Sequence, residues 1–510
     1  MDRRQFLRAA ALGGVAAVGS RSRIAQAAGS PDIAGKVSSL LNNTANVVGS
    51  ILNQPAKNSP IDTIVILMME NRSFDHYLGW LPDDDAYMYA GTEAYGERFH
   101  VDGRTDLSYI DPATGREVRT YHLPSHPGEQ LAWRGCGHPD PGHGPLQGRA
   151  QRDHGFLANS SGNDAFALGY FRKEDLPTYA PLASHFTIFD RYHCSLLSST
   201  YPNRLYLQSA QCGDDMDPPL PIDELGFDWP AIWDRLLAAG VSCANYFVDL
   251  PTSIFFGPRM VPIVRPFADF FVDAALGQLP HVVLLDPGFI SGFRTDDHPV
   301  GDMRVAQAFT ANVVKAITKS PQWGRTALFI TYDEWGGFFD HVAPALMADG
   351  RASSTDTKNF GQAGFRVPTF MVSPYALPNY VDHRPYDHTS ILRFIEWRFL
   401  GAPAEGPGGS GWWLTERDRH AYNIGASLQS TKRSDIYVSP VPQVPLASTP
   451  CQGYWMQDVP EIDSHDRAGE FAAIEAPISG LDLFRTSGYL ERIGLADRGP
   501  SLTPRELVGS

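Results

Sequence analysis

Residues 64–76 read IVILMMENRSFDH, an apolar run followed directly by charged and polar side chains. The run Ile64–Met69 is short, partly β-branched and bounded by polar residues, which predicts a buried β-strand. Glu70 and Asn71 would then lie at the carboxyl end of this strand, where open α/β sheets bind their ligands. Their side-chain oxygens suit a divalent cation, although a strand that ends in a polar turn explains this segment equally well.

The rest of the chain continues in strand–helix order. Strands are predicted at Phe186–Asp190, Val241–Val248, His281–Leu285, Ala327–Tyr332 and Val367–Val372, and helices at Pro202–Gln211, Pro230–Ala239, Val305–Ser320 and Thr389–Leu400. Alternating strands and helices of this kind form parallel sheets covered by helices. We therefore expect an α/β fold of three layers, with a mostly parallel central sheet and helices on both faces.

The amino terminus has the features of an export signal. Arg3 and Arg4 precede Phe-Leu, a mildly apolar segment runs from Ala9, and Ala25–Ala27 supplies an A-x-A cleavage motif. These parts, in this order, predict that residues 1–27 are a twin-arginine signal peptide. We therefore expect the protein to meet the twin-arginine export machinery and to be secreted, or retained in the periplasm or cell envelope.

The remaining residues, 28–510, are expected to form one functional domain. From about 81 to 175 the apolar rhythm is poor and Gly, Pro, Asp and His are frequent, which predicts a lid-like insertion of turns and small hairpins. From about 403 to 510 the chain is first rich in Gly and Pro and then carries short mixed elements. We interpret this last part as a smaller C-terminal extension.

Composition and charge exclude several classes of partner. The chain has 510 residues and a formal net charge of −15, so nucleic acid and anionic membrane surfaces are not expected as electrostatic partners. We find no segment long and apolar enough for a transmembrane anchor. The five cysteines have no C-x-x-C spacing, which argues against a cysteine zinc site. An oxidising compartment would permit one or two disulfides and would leave at least one cysteine unpaired.

Further polar residues follow or open other predicted elements. Thr200 lies in the loop Ser198–Arg204, which opens a helix whose N-terminus suits an anionic substrate. Asp333 and Glu334 follow the strongest predicted strand, and His298 lies in an Asp-His-Pro segment. Each feature also has an ordinary explanation: a helix cap, a solvated turn or a surface histidine.

Taken together, these residues predict an oxygen-rich cation site. Its ligands would be Glu70, Asn71, Thr200, Asp333 and Glu334, at successive strand ends and one helix start. A divalent ion there would lower the pKa of a bound hydroxyl and neutralise phosphoryl charge. Nearby histidines would hold phosphoryl oxygens and assist the leaving group.

Four segments carry a family resemblance. They resemble the phosphoesterase family of bacterial and plant phospholipases C and AcpA-type acid phosphatases, within the alkaline-phosphatase superfamily, and they are Glu70–His76, Thr200–Arg204, Tyr332–His341 and Tyr386–Ser390. The resemblance runs in order from about residue 62 to residue 400. It implies an alkaline-phosphatase-like sandwich and a phosphoesterase domain.

The resemblance also implies roles for individual residues. Thr200 would be both nucleophile and metal ligand, and Glu70, Asn71, Asp333 and Glu334 would complete the metal site. Asn71 would also lie near the phosphate.

Histidines complete the implied site. His298 would contact the phosphate and assist the leaving alcohol. A second histidine of the lid would contact the phosphate too; His143 is the best match, with His138 and His154 as competitors. His341 is assigned to substrate binding, and the role of His388 stays open.

The expected activity is that of a secreted, metal-dependent phosphoric ester hydrolase, a phospholipase C acting through a phosphothreonine. The cofactor would be one divalent ion, either Mg, Ca, Mn or Zn. A phospholipid or a small phosphoester would be the substrate, with transient contact to a lipid surface. The alternatives are an acid phosphatase on the same site and a secreted binding protein without activity. A sulfatase is disfavoured, because threonine cannot become formylglycine.

Overall fold

The computed structural model describes residues 49–125, 133–219, 221, 226–289, 294–352, 358–409, 411–435, 437, 492, 495 and 502–508. The expected signal peptide lies outside these residues, as does most of the C-terminal extension beyond residue 437. The remainder forms one eight-stranded mixed sheet surrounded by helices, together with two small two-stranded sheets. The predicted α/β architecture is therefore confirmed.

The strands alternate with helices along the chain, as expected. The strands are β1 (Thr63–Met69), β2 (Ser108–Ile110), β3 (Glu117–Arg119), β4 (Tyr121–His122), β5 (Gly169–Tyr170), β6 (Thr187–Phe189), β7 (Cys243–Phe247), β8 (Val264–Pro266), β9 (Val282–Asp286), β10 (Thr326–Tyr332), β11 (Phe370–Val372) and β12 (Tyr380–Asp382). The main sheet has the order β12-β6-β11-β10-β1-β9-β7-β8. Within it, β11 runs antiparallel to both of its neighbours, and the other pairs are parallel. The sheet is therefore mostly parallel, as the sequence predicts.

The helices are short, apart from one on the face of the sheet. They are α1 (Phe74–Leu78), α2 (Asp85–Tyr95), α3 (Pro145–His154), α4 (Tyr179–His185), α5 (Thr200–Ser209), α6 (Ile232–Ala238), α7 (Phe267–Leu276), α8 (Met303–Lys319), α9 (His388–Ile395), α10 (Glu416–His420) and α11 (Pro504–Val508). A π-helical turn, Glu396–Leu400, continues α9. Among the described residues, no helix has the length and hydropathy needed to cross a bilayer.

The central strands β1 and β10 position the polar segments that follow them. Every residue of both strands is buried, which explains why they read as continuous apolar runs rather than as alternating patterns. They are parallel neighbours in a register that pairs Thr63 with Thr326 and Met69 with Tyr332. Because the two strands end side by side, Glu70–Asn71 and Asp333–Glu334 emerge at the same edge of the sheet.

The segment expected to be a lid contains more helix than the sequence indicates. The predicted hairpin is present as β2 and β3, but α2 and α3 are also formed. Asp84 caps α2 by accepting hydrogen bonds from the amides of Ala86 and Tyr87, and α3 begins with a proline in its first turn. These local signals were masked in the sequence by the density of Gly, Pro and His.

Most of the described cysteines are not in disulfides. Cys136 is disulfide-bonded, whereas Cys194, Cys212 and Cys243 are free and buried. The remaining cysteine, Cys451, lies outside the described residues. The expectation of at least one unpaired cysteine is therefore met within the described part of the chain.

Candidate active site

The carboxyl ends of β1 and β10 are joined by backbone hydrogen bonds. The amide of Asp333 donates to the carbonyl of Met69 at 3.2 Å, and the amide of Arg72 donates to the carbonyl of Glu334 at 3.2 Å. Asp333 Oδ1 then accepts from the amides of Asn71 (3.2 Å) and Glu334 (2.7 Å). The two acidic segments are therefore held together, although 262 residues separate them along the chain.

Thr200 reaches these segments from the first turn of α5. Its hydroxyl Oγ1 lies 3.1 Å from Glu70 Oε1 and 3.5 Å from Asn71 Oδ1, and all three side chains are buried. The loop before the helix is braced by Asn203, whose Nδ2 donates to the carbonyls of Ser198 (2.8 Å) and Ser199 (3.0 Å). The hydroxyl is therefore fixed at a helix N-terminus, where negative charge is stabilised.

The backbone is strained where β1 ends. Asn71 has a φ of 63°, a left-handed conformation that costs energy for a residue with a side chain. Gly336 packs directly against it, with a φ of 62°; a Cβ on this glycine would lie 2.3 Å from the carbonyl oxygen of Asn71. This close approach holds Asn71 in the conformation that points its amide toward Thr200.

Arg204 lies among the carboxylates and keeps its charge. Its guanidinium is 3.0 Å from Asp333, 3.8 Å from Glu70 and 3.8 Å from Asp286. Burial alone would lower the pKa of Arg204, but these carboxylates outweigh burial and raise it. Arg204 ends the segment Thr200–Arg204 that carries the family resemblance, but the sequence alone assigns it no role.

The donor set fits a divalent cation. Glu70 lies beside the Thr200 hydroxyl, Asp333 accepts from the amide of Asn71, and Glu334 follows Asp333 in the chain; all three carboxylates are buried. Hard oxygen ligands with a residual negative charge are what Mg²⁺, Ca²⁺ or Mn²⁺ bind. The structure thus brings Thr200, Glu70 and Asn71 together beside Asp333. That these residues and Glu334 bind one ion stays a prediction.

The two histidines assigned to the phosphate also meet. The rings of His143 and His298 lie 6.2 Å apart, centre to centre, and are nearly perpendicular. Asp140 joins them, with its Oδ2 at 3.4 Å from His298 Nε2. Sequence reasoning missed Asp140; its position three residues before His143, in a Pro-Asp-Pro-Gly-His stretch, was the available signal.

The competing lid histidines lie elsewhere. His138 Nδ1 is 2.8 Å from a carboxylate oxygen of Asp164, and its ring stacks on Phe166. His154 is exposed at the end of α3. Among the three candidates, the structure brings His143 against His298.

A family assignment follows from sequence comparison at this point. A sequence model of the Phosphoesterase family matches residues 61–400, the range that contains both acidic segments, Thr200 and His298. The chain belongs to the Phosphoesterase family. It is accordingly a phosphoric ester hydrolase.

Curated relatives of this phosphoesterase come from plants and bacteria. Non-specific phospholipase C5 of Arabidopsis thaliana is 31% identical over 65% of this chain and 69% of the relative. Non-specific phospholipase C1 of the same plant is 33% identical over 65% of this chain and 66% of the relative. Non-hemolytic phospholipase C of Pseudomonas aeruginosa is 30% identical over 66% of this chain and 54% of the relative. The chain thus spans about half to two thirds of the length of these relatives.

The chain also has a weak likeness to a solved structure. A protein of the alkaline phosphatase superfamily from Vibrio parahaemolyticus aligns with 91% of this chain and 98% of that chain, at 9% identity and a TM-score of 0.32. A likeness of this size does not bear on activity.

His388 contacts the backbone of Asp333, one of the predicted metal ligands. Its Nε2 lies 2.7 Å from the carbonyl oxygen of Asp333, and its Nδ1 lies 3.1 Å from the hydroxyl of Tyr192. Burial lowers the pKa of His388 to about 4, so the ring is neutral; its Nε2 donates to Asp333 while its Nδ1 accepts from Tyr192. The role that the sequence left open is therefore one of positioning Asp333.

His341, assigned to substrate binding, has both ring nitrogens bonded to carboxylates. Nδ1 is 2.7 Å from Asp75 and Nε2 is 3.1 Å from Asp102. Arg366 already supplies a cation here, at 2.7 Å from Asp75 and 2.9 Å from Asp340. An interaction of His341 with substrate would need one of these bonds to break, and its role in substrate binding stays a prediction.

We expect the His341 cluster to make stability depend on pH. Burial alone would lower the pKa of His341, but its hydrogen bonds to Asp102 and Asp75 raise it to about 9. A folded-state pKa above the unfolded value near 6.5 gives stability that is complete below about pH 6.5 and is lost as the pH rises toward about 9. We estimate this contribution at about 2 kcal/mol, after allowance for solvent screening.

Urea unfolding between pH 6 and 9.5 checks this expectation. The variant His341→Gln should be less stable at low pH and should lack most of the decline of the wild type. His154→Gln, which changes an exposed histidine, is the control and should follow the wild type. An equally steep decline in His341→Gln would show that another group is responsible.

Replacing Gly336 with alanine should damage the site through its backbone. The new Cβ would meet the carbonyl of Asn71, so the strained turn would shift and the cation ligands with it. We expect a loss of about 2–3 kcal/mol in the free energy of unfolding and a clear loss of metal affinity. Gly240→Ala is the control, since Gly240 has a φ of 69° and nothing within 4 Å of its Cβ position. If both variants lose the same stability and keep the metal, the clash does not matter.

Proposed function

We propose that this phosphoesterase is a metal-dependent phospholipase C that cleaves phospholipid phosphodiesters through a phosphothreonine at Thr200. The observation that carries the proposal is the buried Thr200 hydroxyl at a helix N-terminus, 3.1 Å from Glu70. A buried hydroxyl beside a carboxylate can lose its proton as it attacks phosphorus.

Glu70, Asn71, Thr200, Asp333 and Glu334 are the residues that would hold the ion. When bound, a divalent cation supplies positive charge that favours the ionised threonine and offsets the charge of the phosphoryl group. Arg204 and His388 keep Asp333 in place, and Gly336 keeps Asn71 in its strained conformation. The site is therefore organised before substrate arrives.

The reaction would proceed in two displacements. Thr200 Oγ1 attacks phosphorus, the bond from phosphorus to the diacylglycerol oxygen breaks, and the proton of Thr200 passes toward Glu70. The phosphothreonine then reacts with water, which releases the phosphorylated head group. Asn71 Nδ2 is buried and has no hydrogen-bond partner among the described residues, so it is suited to bind a phosphoryl oxygen in both steps.

His143 and His298 would act on the phosphoryl oxygens and the leaving alcohol. Support comes from the loops that carry them, because both are tied to the cation segments. The amide of Glu70 donates to the carbonyl of Asp296 at 2.8 Å, and Asn163 links the amide of Gly142 (2.8 Å) with the carbonyl of Gly337 (2.9 Å). The charge of the leaving oxygen would thus develop close to the two imidazoles.

Acid phosphatase activity on the same machinery is the second candidate. The three aromatic residues that follow Asp333–Glu334 are fully buried and so do not form an exposed apolar surface for lipid; they are Trp335, Phe338 and Phe339. They are therefore core residues and do not favour a diester. The preference for a phospholipid rests on the names of the relatives, the plant and bacterial phospholipases C.

The remaining sequence expectations complete the proposal. The catalytic domain would span residues 28–510, with a lid at about 81–175 and an extension at about 403–510. Export by the twin-arginine route would release the folded enzyme from the cytoplasm, where it would meet lipid surfaces transiently.

Parallel assays with two chromogenic substrates test the function. p-Nitrophenyl phosphate reports monoester hydrolysis and p-nitrophenylphosphorylcholine reports diester hydrolysis, each with and without chelator. We expect chelator-sensitive turnover with a preference for the diester. A preference for the monoester would move the assignment to acid phosphatase, and no turnover of either substrate with metal supplied would overturn it.

A further inference from the structure

Three residues outside the oxygen-ligand set form a compact group with metal-binding side chains. Asp140, His143 and His298 each offer one ligand atom, and these atoms lie within 4.8 Å of one another. Both histidines are 6% exposed, and Asp140 is partly buried. Two imidazoles and a carboxylate form a ligand set that borderline metals such as zinc prefer.

The ring orientation of each histidine is set by a backbone carbonyl. His143 Nδ1 is 2.7 Å from the carbonyl oxygen of Pro141, and His298 Nδ1 is bonded to the carbonyl oxygen of Pro299. A carbonyl only accepts, so each Nδ1 carries the hydrogen and Nε2 is left as the second ring nitrogen. Metal-binding histidines are typically oriented in this way, with the other nitrogen donating to a carbonyl.

The separation of His298 from Asp140 suits a metal ion better than a shared proton. His298 Nε2 lies 3.4 Å from Asp140 Oδ2. A charge-assisted hydrogen bond between these groups would be about 2.7–2.9 Å long. Two ligands bound to one tetrahedral ion at about 2.1 Å are about 3.4 Å apart, which is the separation observed.

We propose that Asp140, His143 and His298 form a second divalent-cation site of zinc type, separate from the oxygen-rich site. Three protein ligands leave the fourth position of a tetrahedral ion open, as in catalytic zinc sites. A phosphoryl or leaving-alcohol oxygen would take that position. The inference rests on the proposed function for this last step, in which His143 and His298 would act on the phosphoryl and leaving oxygens through the cation that they hold rather than by direct contact.

The surroundings hold the three ligands in place before any ion binds. The amide of Gly301 donates to the carbonyl of His298 at 2.8 Å, and Asp296 Oδ1 accepts from the amide of His298 at 3.3 Å. Arg294 of the same loop is paired with Asp296 at 2.7 Å, which fixes the segment that leads into His298. The three ligand atoms lie within 4.8 Å of one another, and side-chain rotation would bring them to the distances that one ion requires.

Cobalt substitution of the full chain tests the site without relying on turnover. Four-coordinate Co²⁺ absorbs visible light far more strongly than six-coordinate Co²⁺, so it distinguishes this site from the oxygen-rich one. We expect two ions per chain in the wild type and an intense visible band. Asp140→Asn and His298→Gln should lose the band and weaken zinc binding at least about tenfold.

Two control variants make the test specific. His154→Gln changes an exposed histidine of the same region and should keep both ions and the band. Glu334→Gln removes a proposed ligand of the oxygen-rich site. It should lose the ion of that site and keep the visible band. The visible band reports metal binding and does not depend on turnover. The proposed cation site and the proposed phospholipase activity can therefore fail separately.

Two results would overturn the inference. One is a single ion per chain in the wild type, with no intense band. The other is a band that persists in correctly folded Asp140→Asn and His298→Gln. A change confined to the pH profile of those variants, with metal content unchanged, would also overturn it, since it would show a shared proton between Asp140 and His298.

Discussion

Replacing Thr200 with alanine is expected to lower kcat by at least about a thousandfold for either chromogenic substrate. The reason is that Thr200 would provide the nucleophilic oxygen in the proposed mechanism. Ser198 and Ser199 are close in sequence, but their hydroxyls donate to the carbonyl of Met216 and to Asp217. These hydrogen bonds fix both serine hydroxyls in positions that do not replace the Thr200 hydroxyl.

The matched variant Thr200→Ser keeps the oxygen and removes one methyl group. It should retain activity within about tenfold of the wild type, which separates loss of the nucleophile from damage to the helix start. Circular dichroism and urea unfolding should show that both variants fold. Full activity of a folded Thr200→Ala would exclude Thr200 as the nucleophile.

Replacing Asp333 with asparagine is expected to cost both the metal and the activity. Asp333 is a ligand in the proposed site and is also the closest ion-pair partner of Arg204, at 3.0 Å. We expect metal affinity to fall at least about a hundredfold and kcat/KM at least about a thousandfold. Breaking the buried ion pair should lower the free energy of unfolding by about 3 kcal/mol.

Asp340→Asn provides the control for this loss. Asp340 is a buried partner of Arg366, at 2.9 Å, in the separate cluster around His341. Its replacement should destabilise the fold to a similar extent but leave the metal content unchanged. Metal content measured by mass spectrometry after dialysis distinguishes the two variants. Equal metal loss in both would mean that the ion responds to general destabilisation and not to Asp333.

Removal of the ion from the wild type should have a parallel effect. Without it, the buried carboxylates of Glu70 and Asp333 keep Arg204 as an ion-pair partner but lose the divalent charge. A ligand that binds the folded state at a hundred times its Kd stabilises it by about 3 kcal/mol. Chelation should therefore lower the Tm and metal should restore it, whereas Asp333→Asn should respond weakly to both.

The strands that build the site were predictable because burial on both faces leaves a simple pattern. Thr63–Met69 is apolar after its first residue, and Thr326–Tyr332 is apolar except for its two threonines; Glu70–Asn71 and Asp333–Glu334 follow them directly. Their pairing was not predictable from the sequence, since it depends on which strands become neighbours. Parallel register brings Met69 beside Tyr332 and so places the two acidic pairs together.

Other features depend on tertiary contacts that have no local signature. The left-handed conformation of Asn71 requires the close packing of Gly336, and the neutral ring of His388 requires the carbonyl of Asp333. The helix Phe267–Leu276 was missed because it follows directly on a short strand, Val264–Pro266, with only Pro266 at its start as a signal. Asp140 gains its importance only when the lid brings it against His298.

Trapping the covalent intermediate is the most direct test of the central claim, that Thr200 carries the phosphoryl group during turnover. The full chain would be mixed with p-nitrophenylphosphorylcholine, quenched with acid within milliseconds, digested and analysed by mass spectrometry. We expect a phosphorylcholine adduct on the peptide that contains Thr200 in the wild type, and no such adduct in Thr200→Ala. An adduct on another residue, or turnover through a metal-activated water with no adduct at any quench time, would contradict it.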